Sequence, residues 1–400
     1  MINPSANGWI DKFFQEQIAA KVIPRTAADL YENVSETGFV FGHIVKINSK
    51  PEIDLSNLKV DEVFKISLLS VLFDFYCFST QAINQEEFIK KTVLFYNQFT
   101  PKGFSLINKI APPDTVSELE SILDSRIQTN KDSFSKNFSP LVTNALLFID
   151  VVAFVNYLSY PENVTKYIKN IELETINLVL LSLKIKRNKT QNDTFLIKLF
   201  EASVRYSKIT TSLESDKALQ LENLNLSQFT TNFERYYFID IIAMVLWSDG
   251  KLENEEIYFF ETVCRTFDFE IDYANQRSSK INQFNAAHKA DIAYLNFSNP
   301  IKHFYDKSSE NIGLLISRNK KRLIKELQQS KELVVLLKQS TQRDLEKSEK
   351  KLVKKQLLDI FKTIPAFAIF MLPGGSLLLP ICIRFIPQLL PSAFNENFED

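Results

Sequence analysis

Residues 361–394 read FKTIPAFAIFMLPGGSLLLPICIRFIPQLLPSAF, and no charged side chain occurs from Thr363 through Ile383. That is about 21 residues, the length a helix needs to cross the hydrocarbon core of a bilayer. The same stretch carries Pro365, Pro373 and Pro380 and the pair Gly374-Gly375, residues that kink or break helices. Two readings stay open. One is a membrane span. The other is a proline-broken hairpin buried in the fold, with 373–375 as its turn and 364–372 and 376–386 as its arms. In a span, the carbonyls freed by each proline must be satisfied by neighbouring helices, by water or by Ser376. The Gly-Gly-Ser stretch also permits close helix approach. Self-association or a protein partner is therefore expected. The run stands out from a chain whose mean hydropathy is −0.10.

Upstream of this run lie Lys347, Lys350, Lys351, Lys354, Lys355 and Lys362; after it come Arg384 alone and then Glu396, Glu399 and Asp400. If the chain spans, the positive-inside rule puts residues 1–362 in the cytoplasm and the tail outside. Residues 309–362 read as one long amphipathic helix. Its apolar positions Ile312, Ile316, Leu323, Leu327, Val334, Leu337, Leu345 and Leu352 fall at heptad-like spacings, and Thr341 interrupts the seam. Such a stripe packs either on the helical body or on a second chain.

Between residues 60 and 287, apolar periodicity near 3.6 dominates and predicts helices over 60–78, 84–98, 115–128, 139–158, 164–186, 192–208, 231–247, 253–267 and 269–287. Capping residues such as Asp114 and Ser227 mark starts, and Pro101, Pro112, Pro113, Pro140, Pro161 and Pro300 fall between helices. Residues 9–34 predict two short helices broken at Pro24, and 35–58 a strand pair or an ordered loop. The fold class is therefore mainly α, a helical array followed by a long amphipathic helix and a proline-broken apolar segment. The expected divisions are 1–59, 60–230, 231–308, 309–362 and 363–400. Only 8 glycines in 400 residues fit helices better than an all-β fold.

Standard chemistry has little footing. No phosphate loop, dinucleotide fingerprint or G-x-S-x-G occurs. His43, His288 and His303 stand apart in sequence, and Cys77, Cys264 and Cys382 have no metal-ligand spacing. No enzyme is expected. A net charge of −1 steers no nucleic acid, so no direct nucleic-acid partner is expected. The N-terminal residues lack the basic and apolar regions of a signal peptide, and the chain is expected to begin in the compartment where it is made.

One internal similarity stands out. FSTQAINQEEF (78–88) and WSDGKLENEEI (247–257) align without gaps, each following an apolar run and opening a helix with a Glu-Glu pair that complements the macrodipole. Either a common helix–turn–helix or a duplicated unit produces this. SDGKLENEE (248–256) is not an EF-hand, because the first ligand positions would be Val245 and Trp247. With the apolar helix before it, over Tyr236–Phe269, it resembles the helical module of TerB-like tellurite-resistance proteins. That resemblance implies a divalent-cation site at Asp240, Asp249, Glu253 and Glu256. The alternative is structural: Asp249 caps a turn, Gly250 takes positive φ and the glutamates oppose a dipole. No other cofactor is expected.

The C-terminal residues carry a second resemblance. RFIPQLLPSAF (384–394), with Arg384, Pro387, Pro391 and Ser392, and the Asp359-Ile360-Phe361-Lys362 run before Pro365 closely resemble the signature of the LETM family, the leucine-zipper/EF-hand transmembrane proteins of the mitochondrial inner membrane. It implies a membrane segment through Pro365, Pro373 and Pro380, a link to ion homeostasis and a link to ribosome binding. The chain departs from the family pattern at Ser376, where the family has an acidic residue; the cost of a carboxylate in a bilayer marks that residue as functional. The family continues into a large domain linked to ribosomes, most of which would lie beyond Asp400. The combination looks like bacterial LETM-related proteins described as biofilm-associated. The expected place is the bacterial inner membrane with the body in the cytoplasm, the alternative a soluble cytoplasmic protein. The expected role is a membrane-tethered interaction or scaffold protein; the alternatives are a subunit of a cation-exchange system and a soluble divalent-cation-binding module.

Overall fold

The computed structural model describes residues 2–98, 114–131, 145–189, 193, 194, 197, 220–247, 252–288, 312, 313, 316, 319–364, 367, 383 and 386. Among them are α1 Trp9–Gln17, α2 Ala27–Ser35, α3 Val60–Thr80, α4 Gln85–Asn97, α5 Thr115–Lys131, α6 Phe148–Ser159, α7 Val164–Ile185, α8 Asn232–Leu246, α9 Asn254–Thr266, α10 Ile271–His288, α11 Lys320–Gln328, α12 Lys331–Gln342 and α13 Lys347–Thr363. No strand occurs among the described residues, and the fold is all-α as expected. Of the 35–58 stretch, Ser35 closes α2 and residues 36–58 form an ordered loop with two 3-10 turns, Phe39–Phe41 and Leu55–Asn57. The expected helix over 192–208 lies almost wholly outside the described residues.

Side-chain caps decide where most helices begin. Thr26 Oγ1 accepts the Asp29 N–H at 3.1 Å, Asn84 Oδ1 the Glu87 N–H at 3.0 Å and Asp114 Oδ1 the Ser117 N–H at 2.8 Å. Each satisfies a donor that has no partner inside its helix. Ser227 is not a helix start. It sits in the 3-10 turn Leu226–Gln228, and α8 begins after Thr231, which forms a capping box with Glu234.

α3 is the spine. It packs on α2, α5 and α6; α6 packs on α7, α7 on α8, and α8 on α2, α9 and α10. Because neighbours surround α3, 16 of its 21 residues are buried. It is also long and apolar enough to cross a membrane, with hydropathy 1.5, yet 78% of that window lies inside the fold. Phenylalanine fills the space between helices: Phe14, Phe73 and Phe88 meet edge to face, as do Phe75, Phe148 and Phe233, geometry favoured by the ring quadrupole. The loop after α2 turns at Gly38 and Gly42, with φ of 80° and 70°. A Cβ at Gly38 would overlap the His43 carbonyl oxygen.

The single long helix expected over 309–362 is corrected to three: α11, α12 and α13 fold back on one another. The apolar stripe is real, and Leu323, Leu327, Val334, Leu337 and Leu345 are all buried. It is not continuous in space. The chain leaves helical geometry at Ser330, with ψ of 78°, and again at Arg343, in extended backbone just after the Thr341 interruption. α13 then restarts where the Glu349 carboxylate accepts the Glu346 N–H at 2.7 Å. Folding back buries the stripe against itself, which a lone long helix cannot do.

Candidate functional site

Three places carry the chemistry expected from the sequence or revealed by the fold. The first is Asp240, in the middle of α8 and 0% exposed. Arg277 of α10 donates from Nε to Asp240 Oδ1 at 2.8 Å and from Nη2 to Oδ2, and the Tyr31 hydroxyl of α2 donates to Oδ2 at 3.0 Å. Arg277 also donates to Glu32 Oε2 at 2.6 Å and to Ser35 Oγ at 2.9 Å. Both carboxylate oxygens are thus held by a guanidinium fork, a geometry that fixes orientation as well as charge. Desolvation raises the Asp240 carboxyl above its ordinary value, opposed by Arg277. For Arg277, desolvation pulls down and the carboxylate overrides it, so the guanidinium is pushed up.

A second copy of this arrangement lies across the fold. Asp150 of α6, also 0% exposed, accepts Arg126 Nε at 2.7 Å and Nη2 at 3.1 Å from α5, and the Tyr96 hydroxyl at 3.0 Å from α4. Sequence reading missed it. The signal was present: FIDVVAFV (148–155) and FIDIIAMV (238–245) match at each aspartate. The similarity singled out from the sequence aligns different residues, and it too is structural. Asn84 and Glu253 both occupy N-caps, and Glu87 and Glu256 both stand three residues into the helix.

The other expected cation ligands are placed as follows. Glu256 accepts the Glu253 N–H at 3.0 Å in a capping box, and Glu253 Oε1 accepts Asn188 Nδ2 at 2.8 Å. Asp249 lies outside the described residues. Asp240 is turned into the buried pair with Arg277, and among the described residues no group of three His, Cys, Asp or Glu side chains converges. His43 and His288, expected to stand apart, are brought together. Their ring centroids lie 5.9 Å apart, and both flank Phe284.

The third place is the C-terminal segment. α13 presents Lys347, Lys351, Lys355 and Lys362 outward. Lys354 instead faces the body, where burial pushes its amine down to about 8 against the pull of Glu172 on α7. Phe361 and Phe367 stack at 4.9 Å. Ile364, Phe367, Ile383 and Ile386 are at most 5% exposed and belong to the same buried cluster as the array. Pro365, Pro373, Ser376, Pro380, Arg384, Pro387, Pro391 and Ser392 lie outside the described residues.

Residues 345–400 match the family model described as LETM1-like, RBD. The match starts just before α13 and bears out the LETM-like C-terminal signature. No curated protein and no solved structure matches the chain.

Proposed function

We propose that this chain is a helical interaction protein whose LETM-like C-terminal segment tethers it to a membrane. The observation that carries the reading is the coincidence, within one segment, of the LETM1-like match over 345–400 and the uncharged run 363–383. The lysine-rich α13 immediately before that run favours a cytoplasmic body at a bacterial inner membrane. The matched family description also makes the ribosome a partner to test. Neither an ion path nor a catalytic step is part of the proposal. Ser376 brings no charge to the run, and the buried aspartates are committed to arginines.

A second reading has its own support. Ile364, Phe367, Ile383 and Ile386 are buried, as a core hairpin requires. Carbonate extraction of membranes separates the two readings, comparing the full chain with one ending at Asp359. Retention of the full chain and release of the shortened one supports the tether. Release of both as monodisperse protein overturns it in favour of the hairpin. Co-sedimentation with ribosomes, with and without residues 345–400, tests the partner.

A further inference from the structure

A cleft of about 640 Å³ opens between α1, α2, the loop over residues 46–52 and α3, within the roughly 300–1,000 Å³ typical of small-molecule sites. Its floor is unusual for the spine helix. Ser70 and Asp74 line it, and Ser67, one turn before Ser70, lines a smaller void that continues it. These three form a polar stripe on a helix that is otherwise core. Ser67 is 3% exposed, and its buried hydroxyl has no hydrogen-bond partner among the described residues. The void beside it, about 10 Å³, is about the size of one water or one ligand polar atom.

On the wall, Lys21 pairs with Asp74, and its ammonium stands 5.5 Å from the centre of the Phe73 ring. The Lys21 and Asp74 side chains are 16% and 11% exposed, and Asp74 Oδ1 itself is buried. Burial pushes the Lys21 amine down to about 8, so the pair is incompletely solvated. Phe13, Phe73, Leu30, Val22 and Pro24 supply apolar surface, and Val22 is 75% exposed at the mouth.

We propose that this cleft binds a small zwitterion, an apolar α-amino acid, with its ammonium on Asp74, its carboxylate on Lys21 and its side chain against Phe13, Phe73 and Val22. The argument is charge complementarity. An anion alone meets Asp74, and a cation alone meets Lys21. Lys46, Lys50 and Glu52 also line the cleft, so it presents both signs of charge, and a ligand carrying both charges a short distance apart meets an opposite charge at Lys21 and at Asp74. The serine hydroxyls serve the ammonium or a bridging water.

The test uses the full chain, with calorimetry and thermal-shift measurements against L-leucine and L-phenylalanine. N-acetyl-leucine, which lacks the ammonium, and leucinamide, which lacks the carboxylate, serve as controls. Saturable binding of a free amino acid with a Kd of about 1 mM or tighter, at least tenfold weaker for both blocked forms, is expected. Asp74→Asn should lose the signal. Because Asp74 lies in the core, Val22→Trp is the companion variant: an exposed change at the mouth that leaves the fold intact and should block entry. The proposal is overturned if neither free amino acid binds saturably, if either blocked form binds as well as leucine, or if Val22→Trp binds as the parent does.

Discussion

Asp150 and Asp240 show what a single residue decides in this protein. Each is a carboxylate with no access to water, tolerated because a guanidinium fork and a tyrosine hydroxyl replace the solvent. Asp240→Asn keeps the shape, removes the charge and leaves Arg277 buried against an amide. The expected loss is about 3–5 kcal/mol of stability, read by urea denaturation, and Asp150→Asn should behave alike because Arg126 is equally enclosed. The double change Asp240→Leu with Arg277→Met should recover much of the loss, since no uncompensated charge remains. At Gly38 the backbone is the constraint. Positive φ and the His43 carbonyl leave no room for a Cβ. Gly38→Ala should therefore cost more than about 1 kcal/mol, visible as a lowered urea midpoint with an unchanged slope.

At the scale of elements, α13 is tied to the array by a lysine that is costly to keep charged. Lys354 sits near 8 in the folded chain and at the ordinary 10.5 when unfolded. Between those values the unfolded chain binds more protons, so stability rises with pH through that window. Lys21, also pushed down to about 8, acts in the same direction. Lys354→Met should make the protein more stable at pH 7 and flatten, without abolishing, the rise between about pH 8 and 10.5, as followed by thermal melts across pH. A melt series with an unchanged slope would mean that the Lys354 amine reaches water. The bends at Ser330 and Arg343 belong to this scale too. A heptad-like stripe states which face is apolar but not whether it meets a partner chain, the body or its own earlier turns.

Across the whole molecule, the N-terminal residues are not an appendage. α2 lies between α3 and α8 and delivers Tyr31, Glu32 and Ser35 to Arg277 and Asp240. A chain beginning at residue 60 strips partners from both helices and should lose cooperative unfolding, checked by circular dichroism melts and dye binding to exposed apolar surface.

What the sequence determined by itself was local. Helix positions from α3 to α10 follow from apolar spacing, and the start at Thr115 from the capping side chain of Asp114, because those interactions span only three or four residues, whereas Ser227 proved to sit in a 3-10 turn. The LETM-like signature was legible for the same reason: its prolines and flanking charges are contiguous. The tertiary structure alone decided the rest. Arg277 finds Asp240 from another helix and Tyr31 from the far end of the chain; Arg126 finds Asp150; His43 meets His288; and Lys21 and Asp74 line one cleft. Those pairings depend on which helix faces pack together. That choice is made by burial summed over the whole core, and no window of sequence contains it.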